Sequence, residues 1–216
     1  RLVEKGIDGE LREYNDENYT YYGIADIKKA RRTKANYTVY RITIRDDLLF
    51  SDGQPITIDD VIFSLYAFCD NDYDGNVQLK SSNIRGLLNY QANNAQAESY
   101  TDKQVKKYIR KKPAALQKWM QKHSSDESGY ESALERQARY LMAKQAKKKT
   151  RVNSIEGIKR LNDYELRIYT TGYDSRFEEK LQIPICPLHY YGDTTKYSYN
   201  ANTVSYTHLR AHETKA

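Results

Sequence analysis

The sequence is short of the residues on which enzyme chemistry usually rests. Its 216 residues hold two cysteines, four histidines, two methionines and one tryptophan. Cys69 and Cys186 are too few for a disulfide framework, and each sits in an apolar context that suits a buried thiol acting as a small hydrophobe. No apolar run approaches the roughly 18–20 residues that cross a bilayer as a helix. No signal peptide opens the chain, and Arg1-Leu2-Val3 reads as the middle of a folded protein. There is no G-x-S-x-G, no phosphate loop, no Cys/His cluster and no nucleophile with a neighbouring base. A hydrolase would have to rest on His123, His189 and carboxylates that show no motif spacing. The residues therefore assign no catalytic group, no metal ligand and no cofactor, and they leave the ligand-binding residues unknown.

What is present is a polar, foldable chain. Hydrophobic residues make up 39% and charged residues 30%, enough for one sizeable domain or two small ones. The most structured stretch is Tyr37–Asp70, YTVYRITIRDDLLFSDGQPITIDDVIFSLYAFCD. Tyr40, Ile42 and Ile44 alternate with Arg41, Thr43 and Arg45, which predicts a strand over 37–45. Ser51-Asp52-Gly53 is a turn, with Gly53 free to take positive φ. Thr57 is suited to cap a helix, and Asp59 and Asp60 place negative charge in its first turn. Ile58, Val61, Ile62, Leu65, Phe68 and Cys69 then form an apolar stripe at helical spacing.

Around this unit the chain changes character. Residues 1–36 carry turn residues and short strand-forming pieces such as Tyr19–Tyr22, leading as a hairpin into the strand at Tyr37. Lys28–Lys34 reads as a solvated basic turn. Asp70, Asp72, Asp74 and Gly75 imitate the start of a calcium loop, but the twelfth position is Ser81, where a Glu is needed. Residues 77–151 are helix-forming: a short helix at Ile84–Tyr90, one capped by Thr101, one beginning at Pro113, and one over Tyr130–Lys148. Thr101–Arg151 holds 15 Lys+Arg against 5 Asp+Glu, a local charge of +10 where the chain carries +6. Such asymmetry is the footprint of a nucleic-acid-binding module or of a solvated helical insertion. From Val152 strand patterning returns, at Ile155–Ile158 and Tyr164–Tyr169, followed by a short helix over Arg176–Leu181 and then IPICPLHYYGD. His189 in that last segment reads as a structural histidine. In the tail, Val204–Ala216, His208 and His212 fall at i, i+4 beside Glu213 and imitate half a zinc site. The tail resembles a translated sequencing adapter, so no metal site is built on it.

The wording of two segments goes beyond their patterning. R-D, then F-S-D-G-x-P-I-T-x-D-D-V-x-F-S, is found at Arg45–Ser64. I-x-G-I-K-x-x-N-D-Y-x-L-x-I followed by I-P-I-x-P-L-H-Y-Y-G-D is found from Ile155 to Ile168 and from Ile183 to Asp193. Both resemble the extracytoplasmic solute-binding proteins of family 5, which serve ABC importers of oligopeptides, dipeptides and related solutes. The resemblance covers residues 1 to about 200. It implies an α+β, periplasmic-binding-protein-like fold of the type II, three-domain subgroup, seen here as an N-terminal fragment: a small mixed β-sheet with a helical insertion. The expected parts are 1–76, strands and signature unit of the smaller lobe; 77–151, a basic helical insertion like that of relatives from Gram-positive gut bacteria; 152–203, a β segment returning toward the main lobe; and 204–216, a non-native tail. It also implies the partners: a peptide or other small solute and the permease subunits of an ABC transporter, with no nucleic acid. The location implied is extracytoplasmic, on a cell-surface lipoprotein of a Gram-positive bacterium or in a periplasm, with membrane contact only through a lipid anchor ahead of residue 1. An incomplete chain of this kind is expected to bind solute poorly by itself.

Overall fold

The computed structural model describes Leu2, residues 9–71, 73, 78–125, 127–192, 197–200 and 203–206. In chain order it has strands β1 (Glu10–Tyr14), β2 (Glu17–Tyr21), β3 (Ala25–Arg32) and β4 (Tyr37–Ile44), then helices α1 (Ile58–Cys69), α2 (Leu87–Ala92), α3 (Asp102–Arg110), α4 (Ala114–Gln121) and α5 (Tyr130–Gln145). Strands β5 (Ile158–Asn162) and β6 (Glu165–Thr171), short helices α6 (Phe177–Lys180) and α7 (Leu188–Tyr191), and strands β7 (Tyr197–Asn200) and β8 (Thr203–Tyr206) complete it. The chain divides into two compact units, Arg1–Arg85 with Glu156–Ala216, and Gly86–Ile155.

In the first unit β3, β4, β6 and β5 form a sheet in that order, every pair antiparallel. The period-two pattern decides its faces. Thr38, Tyr40, Ile42 and Ile44 of β4 and Leu166, Ile168 and Thr170 of β6 are buried, while Arg41 is exposed. Phe177 of α6 closes on the inner face, its ring 4.6 Å from that of Tyr40. Two local expectations give way here. Lys28–Arg32 is strand, not turn: β3 lies at the sheet edge, where charged side chains are compatible with backbone pairing and discourage further strands. The turn is confined to a short 3-10 segment, Thr33–Ala35, ending on Asn36 at φ 48°, a left-handed position that Asn tolerates better than most residues. Strand β5 also begins at Ile158 and not at Ile155. Gly157 instead lies against Arg85, donating its N–H to the Arg85 carbonyl at 2.8 Å.

Helix α1 is the apolar centre of this unit. The expected stripe is buried, but Asp60, Phe63, Ser64 and Tyr66 are buried too, so the helix has almost no solvent face. Fully burying a side chain such as Leu65 or Ile62 stabilises by about 1.5–3 kcal/mol. At its start, Asp60 Oδ2 accepts from the Thr57 N–H at 2.9 Å and the Thr57 hydroxyl at 3.1 Å, the return half of a capping box. A separate hairpin, β1–β2, turns on Asn15 and Asp16, at φ 51° and 62°, as a two-residue turn of the mirror-image kind requires.

The second unit is α-helical. Val105, Leu116 and Ala138 form one core, and Leu88, Ala92, Ala97 and Ala143 another, with Tyr100 packed against both. Thr101 caps α3, accepting from the Gln104 N–H at 3.3 Å while Gln104 Oε1 accepts from the Thr101 N–H at 2.8 Å. Helix α2 starts at Leu87, behind Gly86 at φ 75°, and Ile84 lies outside it in a bridge to Thr170. Glu98 holds this start, accepting from the N–H groups of Gly86 and Leu88. Helix α5 stops at Gln145, three residues before Lys148, because Ala146 turns extended and adjacent lysines offer nothing apolar to bury.

Candidate functional site

Two buried polar side chains on α1 join the two motif segments of the first unit. Asp60 Oδ1 accepts the backbone N–H of Leu188 at 2.9 Å. One turn later, Ser64 Oγ accepts the backbone N–H of Cys186 at 2.7 Å and donates to the Asp60 carbonyl at 2.8 Å. Asp60 is 4% exposed and Ser64 0%, so these bonds are shielded from competing water and an unpaired partner would cost about 1–3 kcal/mol. A third link lies at the surface. His189 Nε2 is 2.7 Å from Asp52 Oδ2, and the His189 ring meets Phe50 edge-on at 5.5 Å. The His189 hydrogen bond and the Gln54 N–H hold the Asp52 carboxyl below its ordinary pKa. Burial pushes the Cys186 thiol above its own, in keeping with an unreactive side chain. The motif F-S-D-G…D-D-V-x-F-S and the motif I-P-I-x-P-L-H-Y-Y are thus two halves of one clamp.

The other residues singled out from the sequence are dispersed. His123 stacks on Trp119 at 4.0 Å and its Nδ1 bonds the Trp119 carbonyl at 2.8 Å. Cys69 is fully buried. Asp70 follows the last residue of α1, whereas Asp72, Asp74 and Gly75 of the calcium-like loop, and His208, His212 and Glu213 of the tail, lie outside the described residues. Among the described residues no three His, Cys, Asp or Glu side chains come close enough to share a metal ion.

A feature absent from the sequence reading is the outer face of the sheet. Lys28, Arg41, Arg167 and Lys159 stand in one cross-strand row. Arg41 Nη2 binds both Glu165 oxygens at 2.7 Å, and this hydrogen bond draws the Glu165 carboxyl below its usual pKa. Beside the row, Lys28, Arg32, Tyr37, Val39, Arg41 and Tyr169 help line an open groove. Strand alternation alone places these residues outward; only the pairing register brings them together.

The model of the bacterial extracellular solute-binding proteins, family 5 Middle, matches residues 24–207. No curated protein matches the chain. The family match includes β3, β4, the clamp and both strands that complete the sheet. Solute-binding proteins of this kind are non-enzymatic in general, and the family supports solute binding for ABC transport outside the cytoplasm. With a periplasmic-binding-protein-like α+β fold, the chain belongs to the bacterial extracellular solute-binding proteins of family 5.

Proposed function

We propose that this chain is part of a protein that captures a peptide outside the cell and delivers it to the permease of an ABC importer, without chemistry. The observation that carries the reading is the family match over residues 24–207. In the intact binding protein, solute is held between lobes, closure selects the closed population, and that form docks on the transporter. Within this scheme the signature residues support the fold: Asp60, Ser64 and Asp52 are engaged by Leu188, Cys186 and His189 and are not aimed at a ligand. The residues described here form part of the smaller lobe, the basic helical block is a solvated insertion, and peptide contacts lie elsewhere in the protein. The protein works outside the cytoplasm, as a lipid-anchored lipoprotein of the cell surface or in a periplasm.

Calorimetric titration with alanine tri- to pentapeptides tests the proposal. This chain alone should give no saturable micromolar binding, and the same chain joined to the rest of its reading frame should bind. Micromolar binding by the chain alone overturns the supporting role. No peptide binding by the longer protein overturns the choice of peptide as solute.

A further inference from the structure

The outer face of the sheet breaks a rule that its inner face obeys. Lys28 stands opposite Arg41, Arg41 opposite Arg167, and Arg167 opposite Lys159. Like charges directly opposite one another destabilise a strand pair. Edge protection accounts for Lys28, since lysine on an edge strand deters further pairing, but Arg41 and Arg167 belong to the interior strands β4 and β6. Glu165 answers Arg41. Among the described residues no carboxylate pairs with Lys28, Arg32 or Arg167. Strands about 4.8 Å apart give the row a length of about 14 Å. Arg41 remains 47% exposed despite its ion pair. The adjoining groove, about 450 Å³, is open, and it adds Tyr37 and Tyr169, whose rings are 6.3 Å apart.

We propose that this face docks on an anionic membrane surface, the row Lys28–Arg41–Arg167–Lys159 taking lipid phosphate groups. The charge is complementary, and arginine forks suit phosphate oxygens. A row of cations about 14 Å long beside an open groove fits a layer of headgroups better than a small free anion, which calls for donors converging from several sides. Tyrosine, with an apolar ring and a polar tip, is at home at the membrane–water boundary. An extracellular bacterial protein serving membrane-embedded importers works beside such a surface. The cost of like-charge opposition within the sheet is then offset when the face is docked.

Sedimentation of the chain with vesicles provides the test. Vesicles of equal parts phosphatidylglycerol and phosphatidylcholine should bind it at least about tenfold better than phosphatidylcholine alone, and high salt should abolish the difference. Lys28→Glu with Arg167→Glu should lower binding by about tenfold or more. Lys106→Glu with Lys107→Glu, the same charge change on the exposed side of α3, should leave it within about twofold. The sheet variant should keep or raise its melting temperature, because Lys28→Glu sets an opposite charge across from Arg41. Should it fail to fold, Lys28→Gln with Arg167→Gln replaces it and should still lose binding severalfold. No binding by the parent chain, equal loss in the sheet and helix variants, or equal affinity for a single-stranded oligonucleotide or polyglutamate at the same salt overturns the proposal.

Discussion

Asp60 and Leu188 lie 128 residues apart, yet the Asp60 carboxylate accepts the Leu188 backbone N–H at 2.9 Å in a buried setting. The bond ties the start of α1 to the start of α7. The same carboxylate accepts from Thr57 through its second oxygen, so one side chain both caps its own helix and fixes a distant segment. This explains why an acid occupies a position facing the core, where its desolvation must be met by hydrogen bonds.

Replacing Asp60 by alanine leaves the Leu188 N–H and the Thr57 N–H without these acceptors. The expected loss is about 3 kcal/mol of unfolding free energy, with Asp60→Asn intermediate because one amide oxygen serves where two carboxylate oxygens did. Urea unfolding at neutral pH measures both. A loss under about 0.5 kcal/mol for Asp60→Ala would show that the carboxylate is peripheral to stability.

Ser64→Ala removes the acceptor of the Cys186 N–H and should cost about 1–2 kcal/mol. Because Ser64 also donates to the Asp60 carbonyl, the two substitutions share a network. The double variant should be less destabilised than the sum of the singles by about 0.5 kcal/mol or more. Strict additivity would mean that the two contacts are independent.

Glycine at 157 is set by space. A Cβ there would sit 2.6 Å from the Tyr169 carbonyl oxygen and 2.9 Å from the Arg85 backbone, atoms that cannot rotate away. Gly157→Ala should therefore destabilise by about 3 kcal/mol. Gly53 has open surroundings but φ +84°, and Gly53→Ala should cost only about 1–2 kcal/mol, from backbone strain. Thermal melts of the two variants separate crowding from conformation, and a reversed order would refute the packing at Gly157.

The acid side of the pH profile should carry a contribution from Asp174. Burial raises its carboxyl pKa, while the Lys180 ammonium and the Arg176 N–H pull it down, and the net shift is downward. A lowered folded pKa adds stability that is present above the unfolded value, about 3.9, and is lost as pH falls through the folded one. The stability gap between the parent chain and Asp174→Asn should be widest near neutral pH and should narrow as pH falls below the unfolded value of about 3.9. A gap of constant size across that range would assign the effect to packing.

Much of the fold is legible before any coordinates. Alternation gives β4 within one residue of its end, Thr57 and Thr101 mark real helix starts, and the wording of two segments points to the family. The clamp is not legible, because a helix wheel assigns Asp60 and Ser64 to the polar side of an amphipathic helix. The missed signal is that α1 has too few polar residues to own a solvent face: with Val61, Ile62, Phe63, Leu65 and Tyr66 between and around them, two polar groups one turn apart must find partners inside. The row of cations is hidden for another reason. Lys28, Arg41, Arg167 and Lys159 are scattered in sequence, and register alone aligns them. Lys28–Arg32 misleads as a turn because charge density imitates a loop when the strand lies at an edge.

Native-state hydrogen exchange at two amides, Cys186 and Leu188, tests the clamp most directly. Both lie in a segment that could pass for an exposed Pro-flanked loop, where free amides exchange rapidly. The account predicts protection of both near that of the α1 core amides, with Asp60→Ala releasing Leu188 and Ser64→Ala selectively releasing Cys186. Exchange of these two amides at the unprotected rate in the parent chain would contradict it.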